Sequence, residues 1–300
     1  MLQFSSMFID WISACITTPR FSILVNGGLV GYFRRCKGVR QGDPLSPYIF
    51  VLTMNVLSRL LDAAISHKVF MYHPKCKKVS LTHLCFADDL LIFSKGNISS
   101  IEGIQNILKT FYQFSRLQLN CSKNEIFSTG INSDKLLEIQ QMIGFKLGAL
   151  PVRYLGVPLV TRRLTEKDCL LLIENIKARI SHWATRFLSY AGRLQLIQAV
   201  IYSIQNFWCK QILFPKRVLK KLNQLCCNFF WEGNRNAGRR AKVRWQDVCL
   251  PKAEGGLGLK DILSWNRACM IQHIWQIFAQ AGTIWIAWIY AYILKERNIW

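Results

Sequence analysis

Apolar positions recur along the chain at two periods, and the period changes near residue 160. Before that point short strand-like runs alternate with helical stretches. After it, the three-to-four spacing of helices takes over. Phe21–Val25 and Leu29–Phe33 read as strands flanking Asn26-Gly27-Gly28, a strong short-range hairpin signal. From Pro44 to Ile65, Ile49, Leu52, Val56, Leu60 and Leu61 predict a helix. Leu81–Phe86 and Leu90–Phe93 predict a second hairpin that turns at Ala87-Asp88-Asp89. Ser99 or Ser100 is placed to cap a helix through Phe114, while Arg116–Asn120 and Arg153–Leu159 read as short extended pieces. Strand, helix, hairpin, helix, strand is the order of an α+β fold with helices on one face of an antiparallel sheet.

In the second half, Thr165 followed by Asp168 resembles a capping box. Leu172, Ile176, Ile180, Trp183 and Phe187 mark one face of the helix that follows. Two more helices are predicted around Ala191–Lys210 and Pro215–Trp231. Residues 234–244 form the clearest linker, with Arg235, Arg239, Arg240, Lys242 and Arg244 set among Asn, Gly and Ala. From Ala268 to Leu294 no residue is charged, a length that could span a bilayer. Gln272, His273, Gln276, Gln280, Gly282 and Thr283 interrupt it, so the expectation is two packed helices joined near Ala281–Gly282 and no membrane association.

Composition changes this picture in two ways. With 39 Lys and Arg against 17 Asp and Glu, the chain of 300 residues carries +22, of which +7 falls in the first 150 residues and +15 in the last 150. An apolar share of 51% excludes a disordered polycation, so the expectation is a folded, strongly basic protein whose partner is a polyanion. Eleven cysteines with irregular spacing and no Cys-x-x-Cys point to reduced thiols in an intracellular protein of nucleus or cytoplasm. Met1–Ile16 lacks the basic start of a signal peptide and contains Asp10. His73, Cys76, His83 and Cys85 do not have the spacing of a closed zinc site. Most tryptophans from Trp183 onward read as helix packing rather than base stacking.

Two segments carry candidate chemistry. Arg40-Gln41-Gly42-Asp43-Pro44-Leu45-Ser46-Pro47 is a glycine turn opening a helix, with Asp43 or Ser46 available as N-cap. An ordinary capped helix begins in the same way. Preceded by Arg34, Arg35, Lys37 and Arg40, however, this helix start is also suited to hold phosphates. Asp88 and Asp89 crowd two like charges into a tight turn between apolar strands, an arrangement a divalent cation relieves. Hard oxygen donors of this kind suit Mg²⁺, and paired ions about 4 Å apart serve nucleotidyl transfer.

Together and in this order, Arg40–Pro47 and Phe86-Ala87-Asp88-Asp89 resemble the fingers–palm region of reverse transcriptases, in the variant of non-LTR retrotransposons (long interspersed elements) abundant in plants. Leu117-Gln118-Leu119-Asn120-Cys121-Ser122-Lys123-Asn124-Glu125 is similar to the block after the family's catalytic hairpin, and Tyr154-Leu155-Gly156-Val157 to its primer-grip turn. Residues 183–231 resemble the helical thumb, and Glu254-Gly255-Gly256-Leu257-Gly258 with Trp265-Asn266 the segment beyond it. The resemblance implies a partial palm over 1–160, a thumb over 161–232, and a basic linker with a helical extension over 233–300.

It further implies roles. Asp88 is expected to ligate Mg²⁺ directly, with Asp89 as a second carboxylate. Arg40, Gln41 and Gly42 would approach the template–nucleotide pair. Lys123 would assist proton transfer to, or charge neutralisation of, the leaving pyrophosphate. Tyr154, Leu155 and Gly156 would steady the primer terminus, and Arg235, Arg239, Arg240, Lys242 and Arg244 would meet the nucleic-acid backbone. Phe86 stands where many relatives carry Tyr. The implied partners are an RNA template and a DNA primer, with deoxynucleoside triphosphates if the chain is active. The family's remaining metal-binding Asp block has no counterpart in this sequence, and Asp10 does not take its place. The expectation is therefore a chain inactive by itself. The alternative is a non-catalytic, basic nucleic-acid-binding relic.

Overall fold

The computed structural model describes residues 4–34, 38–184, 188–232 and 241–295. The chain divides into two units, residues 1–147 and 148–300. The first opens with α1 (Ser6–Thr17), whose N-cap Ser5 accepts the Phe8 N–H at 3.3 Å. An antiparallel hairpin follows, β1 (Arg20–Val25) and β2 (Gly28–Arg34), closed by Asn26 and Gly27, both at positive φ. Both central residues at positive φ is the turn that matches strand twist. No residue of α1 is buried, and β2 is exposed along its whole length.

The core of this unit lies between α2 (Ser46–Ser66) and α3 (Ile98–Ser115). Leu57, Leu61 and Ala64 of α2 meet Ile104, Ile107 and Phe111 of α3, with Phe70 between. These positions repeat every three or four residues on both helices, which is why each buries one stripe. Between the helices in sequence, β3 (His83–Phe86) and β4 (Asp89–Ile92) pair antiparallel, and Leu90 and Ile92 rest on the same core. The unit ends with β5 (Glu125–Ile126), α4 (Ser133–Ile143) and β6 (Lys146–Leu147), where β5 and β6 pair in parallel. Among the described residues α2 is the one helix long and apolar enough to cross a membrane by length and composition.

In the second unit, β7 (Val152–Tyr154) and β8 (Val157–Leu159) form a hairpin through Leu155 and Gly156, at φ 52° and 79°. Glycine meets that demand without steric cost, whereas Leu155 does not. Asp168 fixes the approach to α5 (Leu170–Ala184): its Oδ2 accepts the Thr165 N–H and hydroxyl, both at 2.7 Å, and Arg162 forks onto the same carboxylate at 2.7 and 3.0 Å. These donors hold the Asp168 carboxyl well below the usual range, the Arg162 hydrogen bonds contributing most. A continuous helix then runs through α6 (Tyr190–Leu196), a π-helical turn over Ile197–Ile201, and α7 (Tyr202–Cys209).

After it come α8 (Lys216–Glu232), the single turn α9 (Trp245–Val248), α10 (Ile262–Phe278) and α11 (Ile284–Ile289). Ile173, Ile176, Ile197, Ile201, Val218 and Leu222 centre a core that reaches α10 through Cys269. Asn266 is fully buried in it, accepting the Phe214 N–H at 3.0 Å and donating to the carbonyls of Cys209 and Ile212 at 3.1 and 2.8 Å. It thus pairs three backbone groups at the end of α7 that would otherwise be orphaned.

Several expectations are corrected here. The strands pair two by two, so the described residues form four two-stranded ladders and not one antiparallel sheet, although the mixed α+β character stands. The N-cap of α2 is Leu45, not Asp43 or Ser46. Asp43 spends its carboxylate one position earlier, on the Leu45 N–H at 2.8 Å. α3 starts at Ile98 after Asn97, because the Ser100 hydroxyl is taken by the Met71 N–H at 3.1 Å. Arg116–Asn120 is not a strand, and Phe187 lies outside the described residues. The apolar tract 268–294 divides into α10 and α11 as expected, the Tyr290 hydroxyl tying one to the other by donating to the Ile277 carbonyl at 2.9 Å.

Candidate functional site

Two consecutive aspartates stand at the tip of the β3–β4 hairpin because the turn is only two residues long. Phe86 pairs with Asp89, so Asp88 falls in the turn and Asp89 opens the return strand. Ala87 takes a φ of 50°, an unusual conformation for a residue with a Cβ, costing roughly 1–2 kcal/mol. Both carboxylates are exposed, and neither takes a hydrogen bond or ion pair from another described residue.

The strand that carries them is tied to α2 by a polar brace. His83 of β3 meets the Ser58 hydroxyl through Nε2 at 2.8 Å and the Thr82 hydroxyl through Nδ1 at 2.7 Å, and Thr82 also reaches Asp62 at 3.3 Å. Burial lowers the His83 pKa, against a smaller opposing pull from Asp62. The spacing of His83 with His73, Cys76 and Cys85 in the sequence gives no hint of this role. The available signal was Ser58 and Asp62, four residues apart on one face of α2.

The loop before α2 is held by its own backbone. Gly42 sits at φ 85°, Asp43 donates its N–H to the Arg40 carbonyl at 3.3 Å, and the Ser46 hydroxyl donates to the same carbonyl. Arg40, Gln41 and Gly42 are exposed, and the Arg40 guanidinium has no ion-pair partner among the described residues. Arg35 and Lys37 lie outside the described residues. Lys123 is also exposed. Its N–H donates to the Asn120 carbonyl at 3.0 Å, while Asn120 Oδ1 accepts from the Ser122 N–H and hydroxyl at 3.1 and 2.6 Å.

In the second unit, Tyr154 and Leu155 are half-buried and Gly156 is exposed at the β7–β8 turn. Lys242 and Arg244 are exposed just before α9, while Arg235, Arg239 and Arg240 lie outside the described residues.

Whether Mg²⁺ fits the hairpin depends on the donor set. Two carboxylates are hard donors of the right kind, and Mg²⁺ usually keeps several waters and borrows phosphate oxygens. Asp88 and Asp89 could hold such an ion in part. No group of three or more His, Cys, Asp or Glu is placed to hold a metal among the described residues. The pair therefore has no third protein ligand there, and His73, Cys76, His83 and Cys85 form no metal cluster.

Residues 1–159 match the family model described as reverse transcriptase (RNA-dependent DNA polymerase). An Arabidopsis thaliana protein named for ribonuclease H is 33% identical over 129 residues, 43% of this chain and 21% of that protein. The transposon TX1 149 kDa protein of Xenopus laevis is 22% identical over 99% of this chain and 22% of its own length. The retrovirus-related Pol polyprotein of the type-2 retrotransposable element R2DM of Drosophila melanogaster is 31% identical over 125 residues, 41% of this chain and 11% of the polyprotein. The chain spans about a fifth of the length of the first two of these relatives.

Proposed function

The chain belongs to the reverse transcriptase (RNA-dependent DNA polymerase) family, of the non-LTR retrotransposon kind, and on that premise we propose that it binds an RNA template with a DNA primer through a basic surface and presents Asp88 and Asp89 to the primer terminus. The observation that carries this reading is the two-residue turn that places both carboxylates in the open at the tip of β3–β4, within the matched residues. In it, residues 1–160 act as a partial palm, 161–232 as a thumb, and 233–300 as a basic linker and extension.

Asp88 would be the direct Mg²⁺ ligand and Asp89 the supporting carboxylate. When bound, the ion supplies charge neutralisation at phosphate oxygens. Arg40, Gln41 and Gly42 would border the template–nucleotide pair, and Lys123 would sit beside the departing pyrophosphate. Tyr154, Leu155 and Gly156 would steady the primer end, and Lys242 and Arg244, with Arg235, Arg239 and Arg240, would meet backbone phosphates. In this reading the 300 residues do not polymerise by themselves: among the described residues Asp88 and Asp89 have no third ligand beside them, which leaves a two-ion clamp incomplete, and loss of one member of a catalytic unit is usually drastic. The second reading, a basic binding module with no catalytic part, is favoured by the same lack of a third ligand among the described residues.

The test is binding of an RNA–DNA hybrid at rising salt. Affinity should fall steeply, by roughly 0.9 log units per log unit of salt for each phosphate neutralised on duplex DNA. In the absence of Mg²⁺, Asp88→Ala with Asp89→Ala should bind more tightly than the wild type, because two charges that repel phosphate are gone. Binding that ignores salt, or no binding, would sink the proposal.

A further inference from the structure

Two helices of the second unit face solvent in opposite ways. Between residues 216 and 231 of α8, the exposed positions are Lys216, Arg217, Lys220, Gln224 and Asn228, all polar. α10 buries Ile262, Asn266 and Cys269 and turns its opposite side outward. That side is apolar as well, with Ile271, Ile274, Trp275 and Phe278 64%, 52%, 69% and 37% exposed. Spaced three and four residues apart, these side chains are neighbours on one stripe. A helix that is apolar all round is ordinarily covered all round, and α10 is covered on one side. The stripe amounts to roughly 400–500 Å² of apolar surface, a size at which the largest patch of a monomer is often functional.

Charge narrows what can cover it. Arg267 is exposed, has no ion-pair partner among the described residues, and is the single charge on this side of α10. No Asp or Glu occurs from Ile262 to Lys295. One cation is too few for a nucleic-acid backbone or an anionic bilayer, each of which recruits several, and a basic partner finds no carboxylate. A helix lying on a membrane also keeps a polar face toward water, whereas the other face of α10 is packed into the core. The chemistry that fits is a second apolar helix stripe whose own charge is placed out of the way.

Another copy of α10 meets that description in one orientation. Set two copies antiparallel about a two-fold axis between positions 274 and 275. Ile271 then opposes Phe278 of the other copy, and Ile274 opposes its Trp275. Each Arg267 falls just beyond Phe278 of the other copy, where the last carbonyls of that helix carry the negative end of its dipole. A parallel pair would instead set Arg267 against its twin. With Ser264, Ala268 and Gln272 at the flanks, the pair would bury roughly 1,200 Å² in total, the lower bound of a specific interface.

We propose that α10 is a homodimer seam, in which Ile271, Ile274, Trp275 and Phe278 of two chains pack antiparallel and each Arg267 caps the opposite helix end. The proposal is independent of the nucleic-acid reading and is tested without nucleic acid.

The 300-residue chain is followed by sedimentation velocity at about 1 to 100 µM, the range suited to an interface of this size. The mass should rise from one chain toward two. Each copy carries +22, so added salt should strengthen the association, the opposite sign to its effect on hybrid binding. Ile271→Glu and Trp275→Glu, both at exposed positions, should keep the thermal midpoint and weaken the dimer at least about tenfold. Arg267→Glu should weaken it about two- to fivefold. A chain that stays monomeric throughout, or a dimer that both Ile271→Glu and Trp275→Glu leave intact, would overturn the proposal. Tightening by Arg267→Glu would overturn the antiparallel register. A monomer that floats with phosphatidylserine vesicles, and ceases to on Trp275→Glu, would overturn the seam in favour of a lipid surface.

Discussion

Of the buried apolar side chains among the described residues, nine belong to residues 1–147 and twenty-two to residues 148–300, although the two units are almost equal in length. The first unit keeps its core to one helix pair and leaves α1 and β1–β2 exposed, with Trp11, Leu24 and Leu29 all more than half accessible. The second closes its helices around a continuous core and braces it with Asn266. The candidate carboxylates and the Arg40–Gly42 loop therefore ride on the thinner scaffold. These candidate side chains are exposed, and the scaffold beneath them is held by few buried groups and by local polar ties such as that of His83. The second unit, by contrast, buries its apolar side chains in one larger cluster.

That contrast can be broken at three points. The largest effect is expected at Asn266→Ala, which strands one N–H and two carbonyls in the core of the second unit. A loss of about 3–5 kcal/mol follows from unpairing buried groups. Chemical denaturation followed by hydrogen exchange should place that loss in residues 148–300, and a neutral result would remove the claim of a polar brace.

Next is Gly103→Ala on α3. A Cβ there would run into the Val69 carbonyl and side chain. Overpacking outweighs the gain in helix propensity, for a net loss of about 1–2 kcal/mol. Thermal unfolding of the first unit measures it, and a stabilised variant would show that the approach of 69 to 103 can relax.

The smallest effect is an ordering in pH. His83 has a folded pKa below its unfolded value, so its neutral form is favoured in the fold. Stability of the first unit should fall as pH drops through about 6.5. Asp168 is depressed chiefly by Arg162. Asp261 is pushed up by burial, but the Ser264 N–H and hydroxyl and the Asn223 amide lower it on balance. The second unit should therefore hold until pH falls below about 4, where unfolded carboxylates begin to take up protons. Segment-resolved exchange between pH 7 and pH 3 should show the first unit loosening first. The reverse order would contradict the assigned causes.

What the sequence made legible was local. Asn26-Gly27 and Ala87-Asp88 announced their hairpins through turn chemistry, and the apolar spacing of 44–65, 191–210 and 215–231 announced helices, each within a few residues of its observed ends. The candidate carboxylates were legible for the same reason, since two aspartates at a tight turn between apolar runs are visible in one dimension. Long-range pairing was not. The parallel contact of β5 with β6 joins residues about twenty positions apart, and α4 between them, which buries Ile139 alone, was not among the helices read from the sequence. Caps were misplaced where a side chain had a tertiary partner, as Ser100 has in Met71. The π-helical turn left no mark in the spacing of Ile197 and Ile201.

The most direct test of the central claim is primer extension by the 300-residue chain, with an RNA template, an annealed DNA primer, deoxynucleoside triphosphates and Mg²⁺. The Asp88→Ala, Asp89→Ala double variant serves as control. The prediction is that wild type and control both retain the hybrid and that neither lengthens the primer. Extension by the wild type above the control would contradict the claim that Asp88 and Asp89 cannot complete the site alone.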